Sequence, residues 1–386
     1  MVYSKDSIRN WNNCWIGGIN LSLKAGIVGL PNVGKSTLFN AITKQNILAA
    51  NYPFATIEPN VGVVIVPDKR IDYLKDLYKP KSVVPTTFEF TDIAGLVKGA
   101  SKGEGLGNKF LSHIRECDAI VEVVRCFIDS NITHVNGTID PVRDIDIINI
   151  ELVLADLEVI INRIEKIEKK AITTKDKESL KELEVLKRCK IALEANTPLR
   201  RISFDIDEKK LIKNYSFLTL KPIIYVANVS EDDVAVGDNT YSKMVKNYAE
   251  AEGASVIVMS SKLESDLAGL PLDEKDLLLK EIGIKNSGID KLTFATYNLL
   301  NLATFFTAGS DEVKAWTFKN GTKAPVCAGL IHSDIQRGFI KAEVMSFSDL
   351  ETFGDEKQVK ENGRLRIEGK EYEMQDGDIC YFRFNV

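Results

Sequence analysis

A short segment near the start of the chain has the residue types and spacing of a phosphate-binding loop. It reads Gly29-Leu-Pro-Asn-Val-Gly34-Lys35-Ser36 and fits the pattern G-x-x-x-x-G-K-[ST] between a strand and a helix. The glycines let backbone N–H groups converge on phosphate oxygens at a helix N-terminus, which favours negative charge. The alternative is an ordinary glycine-rich turn. The predicted nucleotide-binding residues of this loop are Asn32, Val33, Gly34, Lys35, Ser36 and Thr37.

The same loop predicts two specific roles. Lys35 would bind the β- and γ-phosphates and act in catalysis, and Ser36 would bind Mg²⁺. A second motif, Asp92-Ile-Ala-Gly95, supplies an acidic residue about 60 residues after the loop, at the end of a strand. Asp92 is predicted to hold Mg²⁺ through water, and the backbone N–H of Gly95 to sense the γ-phosphate. Thr56 is the candidate for a hydroxyl that completes the metal shell, with a solvated loop threonine as the alternative.

The nucleotide base would meet the segment Ala227-Asn228-Val229-Ser230-Glu231. Small GTPases usually read guanine with Asn-Lys-x-Asp, in which the carboxylate accepts two hydrogen bonds and the Lys stem covers the ring. Here Val229 replaces the Lys, and the longer Glu231 replaces the Asp. Guanine specificity is expected to weaken, because a displaced carboxylate leaves the paired donors of the base unsatisfied. Adenine becomes compatible if the Asn228 amide meets its exocyclic amine.

A short segment at the end of the following strand completes the predicted base site. It consists of Ser260, Ser261 and Lys262 and occupies the place of a loop that supports the base with backbone N–H groups. A plain turn is the alternative.

Short apolar strands recur along the first two thirds of the chain and predict the domain that positions these residues. Strand, helix and strand in alternation indicate a parallel sheet with helices on both faces, a doubly wound α/β domain. The predicted strands are Lys24–Leu30, Val61–Val66, Thr86–Thr91, Ala119–Arg125, Pro222–Asn228 and Ser255–Ser260.

Between the fourth and fifth of these strands, apolar residues three and four apart predict a helical hairpin. A polar stretch, Thr173–Glu178, separates its two arms, and about 20 residues per arm would project about 30 Å. The first interpretation of this seam is structural packing between the two arms. The second is that the hairpin is a lever or docking arm for a large partner. The predicted seam residues are Ile150, Val153, Leu157, Ile160, Ile164 and Ile167, with Leu180, Leu183, Leu186 and Leu193 on the returning arm.

After about residue 303 the pattern changes to strands separated by glycine-rich turns, at Glu312–Phe318, Gly338–Met345 and Cys380–Phe384. A small mixed domain would fit this region. The first 20 residues fit no repeating pattern and are treated as an extension of unknown role. The predicted organisation is therefore 1–20 extension, 21–303 nucleotide-binding domain with the hairpin at 140–200, and 304–386 C-terminal domain.

The overall composition is that of an ordinary globular protein. Of 386 residues, 44% are apolar and 27% charged, and the net charge of -5 restricts any RNA contact to local patches. The six cysteines form no C-x-x-C pair, which favours a reducing compartment. No apolar run approaches the roughly 20 residues that span a bilayer. A cytoplasmic protein without membrane contact is expected.

Several motifs together resemble the YchF subfamily of Obg-type NTPases, over about Leu23 to Val386. They are GLPNVGKST, PFATIEPN, DIAGLVKGAS, NVSE and the closing DGDICYFRFNV. The resemblance implies a Ras-like P-loop NTPase domain with a coiled-coil hairpin insertion and a C-terminal β-grasp (TGS) domain. It also implies association with ribosomes and binding of ATP despite a GTPase-like core.

The resemblance assigns two further residues. Leu96 follows Gly95 where many GTPases have a Gln that positions the attacking water, and a Leu cannot orient water. In similar proteins a histidine after the switch takes that role, and the matching residue is His113, although spacing alone favours a helix-surface histidine. Asn32 matches an asparagine that in related cation-dependent NTPases helps place K⁺ near the phosphates, although it also suits a turn.

These observations lead to three functional hypotheses. The first is an ATPase, dependent on Mg²⁺, that uses ATP more readily than GTP and binds ribosomes as a nucleotide-dependent switch, with RNA contacts from the helical arm and the TGS domain. The second is a GTP-specific ribosome-assembly GTPase. The third is a nucleotide-gated scaffold in which hydrolysis is incidental. The predicted RNA-facing residues of the C-terminal domain are Lys314, Lys319, Lys323, Arg337 and Lys341, with a solvated charged face as the alternative.

Overall fold

The computed structural model describes residues 23–385 except 50–59, 94–105, 136 and 175. Thr56, Gly95 and the predicted extension 1–20 lie outside the described residues. The chain forms two units, each with its own internal contacts. Residues 24–64 and 89–296 make the P-loop unit, and residues 65–88 and 297–385 belong to the C-terminal unit. Segment 65–88, which the sequence analysis placed in the nucleotide-binding domain, therefore groups with the C-terminal residues.

Strands and helices alternate along the chain. The strands are β1 (Lys24–Val28), β2 (Val61–Ile65), β3 (Ser82–Val84), β4 (Thr87–Asp92), β5 (Ala119–Arg125), β6 (Ile223–Asn228), β7 (Ser255–Met259), β8 (Leu302–Ala308), β9 (Glu312–Lys319), β10 (Phe339–Ser346), β11 (Arg366–Glu368) and β12 (Asp378–Phe384). The helices are α1 (Lys35–Ala49), α2 (Lys69–Tyr78), α3 (Leu106–Glu116), α4 (Pro141–Thr174), α5 (Lys177–Glu194), α6 (Ile206–Ile212), α7 (Glu231–Val236), α8 (Thr240–Glu252), α9 (Ser261–Leu267), α10 (Leu272–Glu281), α11 (Gly288–Leu299), α12 (Ala324–Ile331), α13 (Ser333–Arg337), α14 (Phe347–Phe353) and α15 (Glu356–Glu361).

The P-loop unit is built on a sheet of order β2-β4-β1-β5-β6-β7. Strands β4, β1, β5, β6 and β7 are parallel, as the sequence predicts. Strand β2 runs antiparallel to β4, because Val66 N donates to Thr86 O and Asp92 N donates to Asn60 O, both at 2.9 Å. The central strand β5 is buried at every position, as expected for a strand covered on both faces. All the parallel strands end at one edge, which carries the P-loop, Asp92 and Asn228.

The predicted helical hairpin consists of α4 and α5. Val153 and Ile160 of α4 pack with Leu186 and Leu193 of α5 in one apolar cluster. Ile150, predicted in the seam, is instead 41% exposed. The reason is that the first turns of α4 pack on β5 and α8, so their buried face is set by the sheet rather than by α5. Leu180, predicted on the same seam, is also exposed at 42%.

A buried carboxylate joins the hairpin to the chain that returns to β6. Asp156 of α4 is fully buried and accepts hydrogen bonds from Leu218 N (2.9 Å), Thr219 N (2.8 Å) and Thr219 Oγ1 (2.7 Å). These bonds hold the helical turn Leu218–Leu220 directly before β6. A buried acid of this kind is stable because its oxygens are bonded to several donors.

The C-terminal unit contains a mixed sheet of order β11-β10-β12-β8-β9-β3. The hairpin β8–β9 is antiparallel, and the last strand β12 returns parallel to β8, which is the β-grasp arrangement implied by the resemblance. One face packs on α12 around Phe305 and Phe382, and the other packs on α2 around Phe306 and Leu74. Strand β8 was not predicted, because the domain boundary was placed inside it at residue 303.

Segment 65–88 supplies α2 and the edge strand β3 of this sheet. Strand β3 pairs parallel with β9, with Ser82 opposite Glu312 and Val84 opposite Lys314. Ile71 and Leu74 of α2 are buried in the same core as Phe306. A sequence pattern cannot reveal this grouping, because it depends on pairing between segments about 230 residues apart, such as Lys81 and Asp311.

No described helix is both long and apolar enough to cross a membrane.

Replacement of Asp156 by Ala is expected to lower the free energy of unfolding by about 3 kcal/mol, because two buried N–H groups and one hydroxyl lose their acceptor. Urea denaturation followed by circular dichroism measures the change. The control is Asp207→Ala, which removes an exposed acid of α6 and should change stability by less than about 0.5 kcal/mol. Equal shifts for the two variants would show that the buried hydrogen bonds contribute nothing specific.

Candidate nucleotide site

The P-loop connects β1 to α1 with two residues in the left-handed region, Asn32 (φ 65°) and Gly34 (φ 98°). Gly34 is required for a second reason, because a Cβ there would lie 2.1 Å from Asn228 Nδ2. Gly29 is equally restricted, since its Cβ would lie 2.8 Å from the carbonyl oxygen of Val123. Both glycines of the motif therefore permit close approach of neighbouring segments, and Gly34 also permits the left-handed turn.

The loop lysine and the acidic motif are in direct contact. Lys35 Nζ donates to Asp92 Oδ1 in an ion pair whose side chains are 10% and 21% exposed. The pairing of β1 with β4, with Ile27 opposite Asp92, brings the two motifs together. Their meeting follows from the rule that parallel strands present their carboxyl ends at one edge. Ser36 is exposed beside Lys35, and both residues line a cleft that also includes the base segment.

Asn228 joins the phosphate side of the cleft to the base side. Its Nδ2 donates to Val33 O and its Oδ1 accepts from Ser261 N, both at 2.8 Å, and the residue is 3% exposed. From the sequence, adenine is compatible with this site if the Asn228 amide meets its exocyclic amine. The structure instead uses one amide hydrogen and one oxygen lone pair to join two loops. It also engages the Ser261 N–H, which was expected to face the base.

Glu231 and Lys262 form an ion pair at the base end of the cleft, with Oε2 and Nζ 2.5 Å apart. The hydrogen bond that Lys262 Nζ donates to the Glu231 carboxylate raises the pKa of Lys262. Glu231 and Lys262 both lie in the first turn of a helix. The N-cap of α7 is Ser230, whose Oγ accepts from Asp233 N, and the N-cap of α9 is Ser260, whose Oγ accepts from Leu263 N. Both carboxylate and ammonium are therefore presented by helix termini at adjacent strand ends.

These residues line one cleft of about 850 Å³. From the predicted set it includes Asn32, Gly34, Lys35, Ser36, Thr37, Asn228, Val229, Glu231, Ser260, Ser261 and Lys262. Val33 is buried behind the loop, with 1% of its surface exposed. Val229 is 2% exposed, so it forms a closed apolar wall where guanine-reading proteins place a lysine stem.

The cleft also has an apolar side that the sequence analysis did not identify. Phe127, Ile128 and Ile132 line it, and Ile128 is 76% exposed. These residues follow β5. Ligands bind at the carboxyl ends of parallel strands, and this rule could have identified the segment from the sequence. Asn32 of the P-loop donates from Nδ2 to Thr133 O at 3.1 Å, so it contacts this segment as well. The predicted cation-placing residue therefore has a structural partner of its own.

His113 lies on α3 with its side chain exposed to solvent. It is absent from the described residues that line the cleft, so the structure does not bring this predicted catalytic residue to the phosphates. Residues 94–105, which connect Asp92 to α3, lie outside the described part of the chain.

The donor atoms at the phosphate end suit a hard divalent cation. A serine hydroxyl at residue 36 and the carboxylate of Asp92 are oxygen ligands of the kind Mg²⁺ prefers. Within the described ranges there is no cluster of three or more His, Cys, Asp or Glu side chains that could hold a metal without a nucleotide. The arrangement fits a metal held jointly by protein and phosphate oxygens.

The basic residues predicted to face RNA have varied surroundings in the C-terminal unit. Lys314 Nζ lies 3.9 Å from the centroid of the Trp316 ring, and burial lowers its pKa. Lys323 pairs with Glu371, and Arg337 pairs with Asp334. Three of the five are therefore engaged within the unit, which weakens the prediction of one basic patch. Lys319 is exposed and Lys341 is partly buried.

Comparison with known proteins agrees with this site and fold. Residues 24–182 match a family described as 50S ribosome-binding GTPase, and residues 302–385 match the YchF-GTPase_C family, described as a protein of unknown function. "Ribosome-binding ATPase YchF" of Bacillus subtilis is 57% identical over 95% of this chain and 100% of the relative. The protein of the same name from Escherichia coli O157:H7 is 50% identical over the same shares.

A solved structure also resembles the whole chain. The Schizosaccharomyces pombe YchF GTPase is 41% identical, with a TM-score of 0.85 over 94% of this chain and 98% of that chain. Identity at this level over nearly full length, together with the P-loop cleft and the β-grasp unit, shows that the chain belongs to the YchF family of P-loop nucleotide triphosphatases.

Proposed function

We propose that this protein hydrolyses ATP, and GTP less well, to the diphosphate and phosphate, and that the bound nucleotide controls its affinity for the ribosome. The observation that supports this most directly is the cleft lined by the P-loop: its Lys35 pairs with Asp92, and its base end departs from the guanine-reading pattern. The names of the Bacillus subtilis and Escherichia coli relatives, ribosome-binding ATPase, support the ribosome partner.

The base end favours adenine for two physical reasons. The Glu231 carboxylate is engaged by Lys262, and an Asp that accepts two hydrogen bonds from guanine is replaced. The exposed apolar side at Ile128 offers a contact surface without charged donors, which suits the less polar adenine. The competing hypothesis of a GTP-specific assembly factor requires a carboxylate free to read guanine.

Mg²⁺ bound at this site would neutralise charge on the phosphates during hydrolysis. Ser36 would hold it directly and Asp92 through water, with Thr56 as the third candidate ligand. Lys35 would exchange its contact with Asp92 for the phosphate oxygens. His113 would orient the attacking water, and Gly95 would report the γ-phosphate, both in keeping with the family resemblance. Asn32 is the candidate for placing K⁺.

The ribosome would be contacted through the helical hairpin and the C-terminal unit. Charged side chains cover the hairpin, including the pairs Arg163–Glu182 and Lys187–Glu168. We place this activity in the cytoplasm, where ribosomes are found. The alternative of a scaffold with incidental hydrolysis differs only in what ribosomes do to the rate.

Wild-type protein is expected to bind Mg²⁺·ATP more tightly than Mg²⁺·GTP, and Glu231→Asp combined with Val229→Lys is expected to shift the preference toward GTP. The reason is that the double change restores the bidentate acceptor and the ring-covering stem. Equilibrium titration of both nucleotides measures the ratio, with thermal unfolding as a control because Val229 is buried. A wild-type preference for GTP would support the assembly-GTPase hypothesis instead.

Ribosomes are expected to accelerate ATP hydrolysis at least about tenfold, and His113→Ala is expected to remove most of this acceleration while ATP-dependent co-sedimentation with ribosomes persists. The loss would reflect a water that is no longer oriented. Glu116→Ala, at another exposed position of α3, is the matched control. Hydrolysis that ribosomes leave unchanged would favour the scaffold, and an unaffected His113→Ala rate would exclude His113 from catalysis.

Hydrolysis is expected to be several-fold faster in KCl than in NaCl, and Asn32→Ala is expected to abolish this difference. A steady-state phosphate-release assay at equal ionic strength measures both rates. If Asn32→Ala lowers the rate equally in both salts, its role is limited to the contact with Thr133.

A further inference from the structure

One side of the nucleotide cleft is formed by a loop without helix or strand, residues 126–134, here named the base wall. Phe127, Ile128 and Ile132 line the cleft from this loop, and Ile128 and Ile132 are 76% and 37% exposed. Because the loop forms no ladder, its carbonyl groups need partners from elsewhere. A single residue buried behind the loop supplies donors to three of them.

Arg125, the last residue of β5, is 2% exposed and lies under the base wall. Its Nε donates to Phe127 O at 3.3 Å, and its Nη2 donates to Asp129 O at 3.3 Å and to Ile132 O at 3.0 Å. The guanidinium carbon also lies 4.7 Å from the centroid of the Phe127 ring. One side chain therefore binds carbonyl groups at both ends of the segment that carries the apolar residues.

The ends of the base wall have separate anchors. Asn239 Nδ2 donates to Cys126 O at 2.7 Å, and Asn32 Nδ2 donates to Thr133 O at 3.1 Å. His134 forms a buried contact of 2.8 Å with Asp144 of α4. These contacts fix where the loop enters and leaves, whereas Arg125 bonds to carbonyls between them. The part that faces the cleft is held by Arg125 together with two local bonds, from Asn131 N to Asp129 Oδ1 (2.8 Å) and from Ile132 N to Asp129 O (3.3 Å).

A buried guanidinium is costly unless its hydrogen bonds repay the loss of water. Here Nε and Nη2 donate to three carbonyls of the loop, and Nη1 has no hydrogen-bond partner among the described residues. A fixed planar fork that reaches several carbonyls at once is what Arg offers and Lys does not. The geometry thus favours control of loop shape over simple core packing.

We propose that Arg125 is the positioning residue of the nucleotide base: it holds the base wall in the conformation that receives the base, while the phosphates are bound independently by the P-loop. This inference rests on the proposed ATP binding and assigns its base contact to a preorganised loop. Without Arg125 the loop must become ordered when the nucleotide binds. The free-energy cost of this ordering lowers the affinity for ATP and leaves the rate of the chemical step unchanged.

The test compares Arg125→Met and Arg125→Lys with wild type in steady-state hydrolysis and in hydrogen exchange of the peptide that covers 126–134. Arg125→Met is expected to raise KM for ATP at least about tenfold with kcat within about threefold, and to speed amide exchange in the base wall. Saturating ATP should restore much of the protection. Arg125→Lys keeps the charge, and its KM and amide exchange rate should lie between those of wild type and Arg125→Met.

Two further variants keep the proposal falsifiable. Arg200→Met removes another buried arginine of the P-loop unit, paired with Glu252, and should lower stability without changing KM. Ile128→Ala changes an exposed side chain of the base wall and leaves Arg125 and its hydrogen bonds in place. It should raise KM for ATP while kcat is retained.

The proposal is overturned if Arg125→Met lowers kcat with KM unchanged, if Arg200→Met raises KM equally, or if Ile128→Ala leaves KM unaltered. Wild-type protein that binds no ATP would refute the proposed function itself. That result is distinguishable, because it appears before any substitution is made.

Discussion

The functional part of this protein depends on the buried amide of Asn228. It accepts from Ser261 N and donates to Val33 O, and it fits against Gly34 so closely that a Cβ there would lie 2.1 Å from its nitrogen. Three segments from different strand ends are thereby locked together: the P-loop after β1, the base segment after β6 and the loop after β7. A displacement of any one would move the phosphate and base ends of the cleft relative to each other.

Around that contact, each half of the cleft has its own supporting interactions. The phosphate half contains the pair between Lys35 and Asp92, which parallel pairing of β1 and β4 makes possible. The base half contains the ion pair of Glu231 with Lys262 and the loop that Arg125 supports. The separation is physically useful, because triphosphate binding relies on charge and backbone N–H groups, whereas base binding relies on apolar surface and loop order.

Much of this could be predicted from local pattern. The strands around the P-loop, the acidic motif at Asp92 and the two arms of the hairpin all follow from periodicities that extend over a few residues. Ile150 was wrongly predicted in the seam because periodicity shows that a face is apolar but not which neighbour buries it. The role given to the Asn228 amide was incomplete for a related reason, since a polar side chain can bond to protein or ligand with the same chemistry.

The sequence alone determined the P-loop, the departure from the guanine-reading motif and the family resemblance, because each resides in contiguous residues whose types limit their chemistry. Only the tertiary structure decided that segment 65–88 belongs with the C-terminal sheet, that Phe127 and Ile128 face the nucleotide cleft, and that Arg125 holds their loop. Those features arise from contacts between residues distant in sequence or from carbonyl groups that every residue carries. No residue pattern along the chain records such contacts.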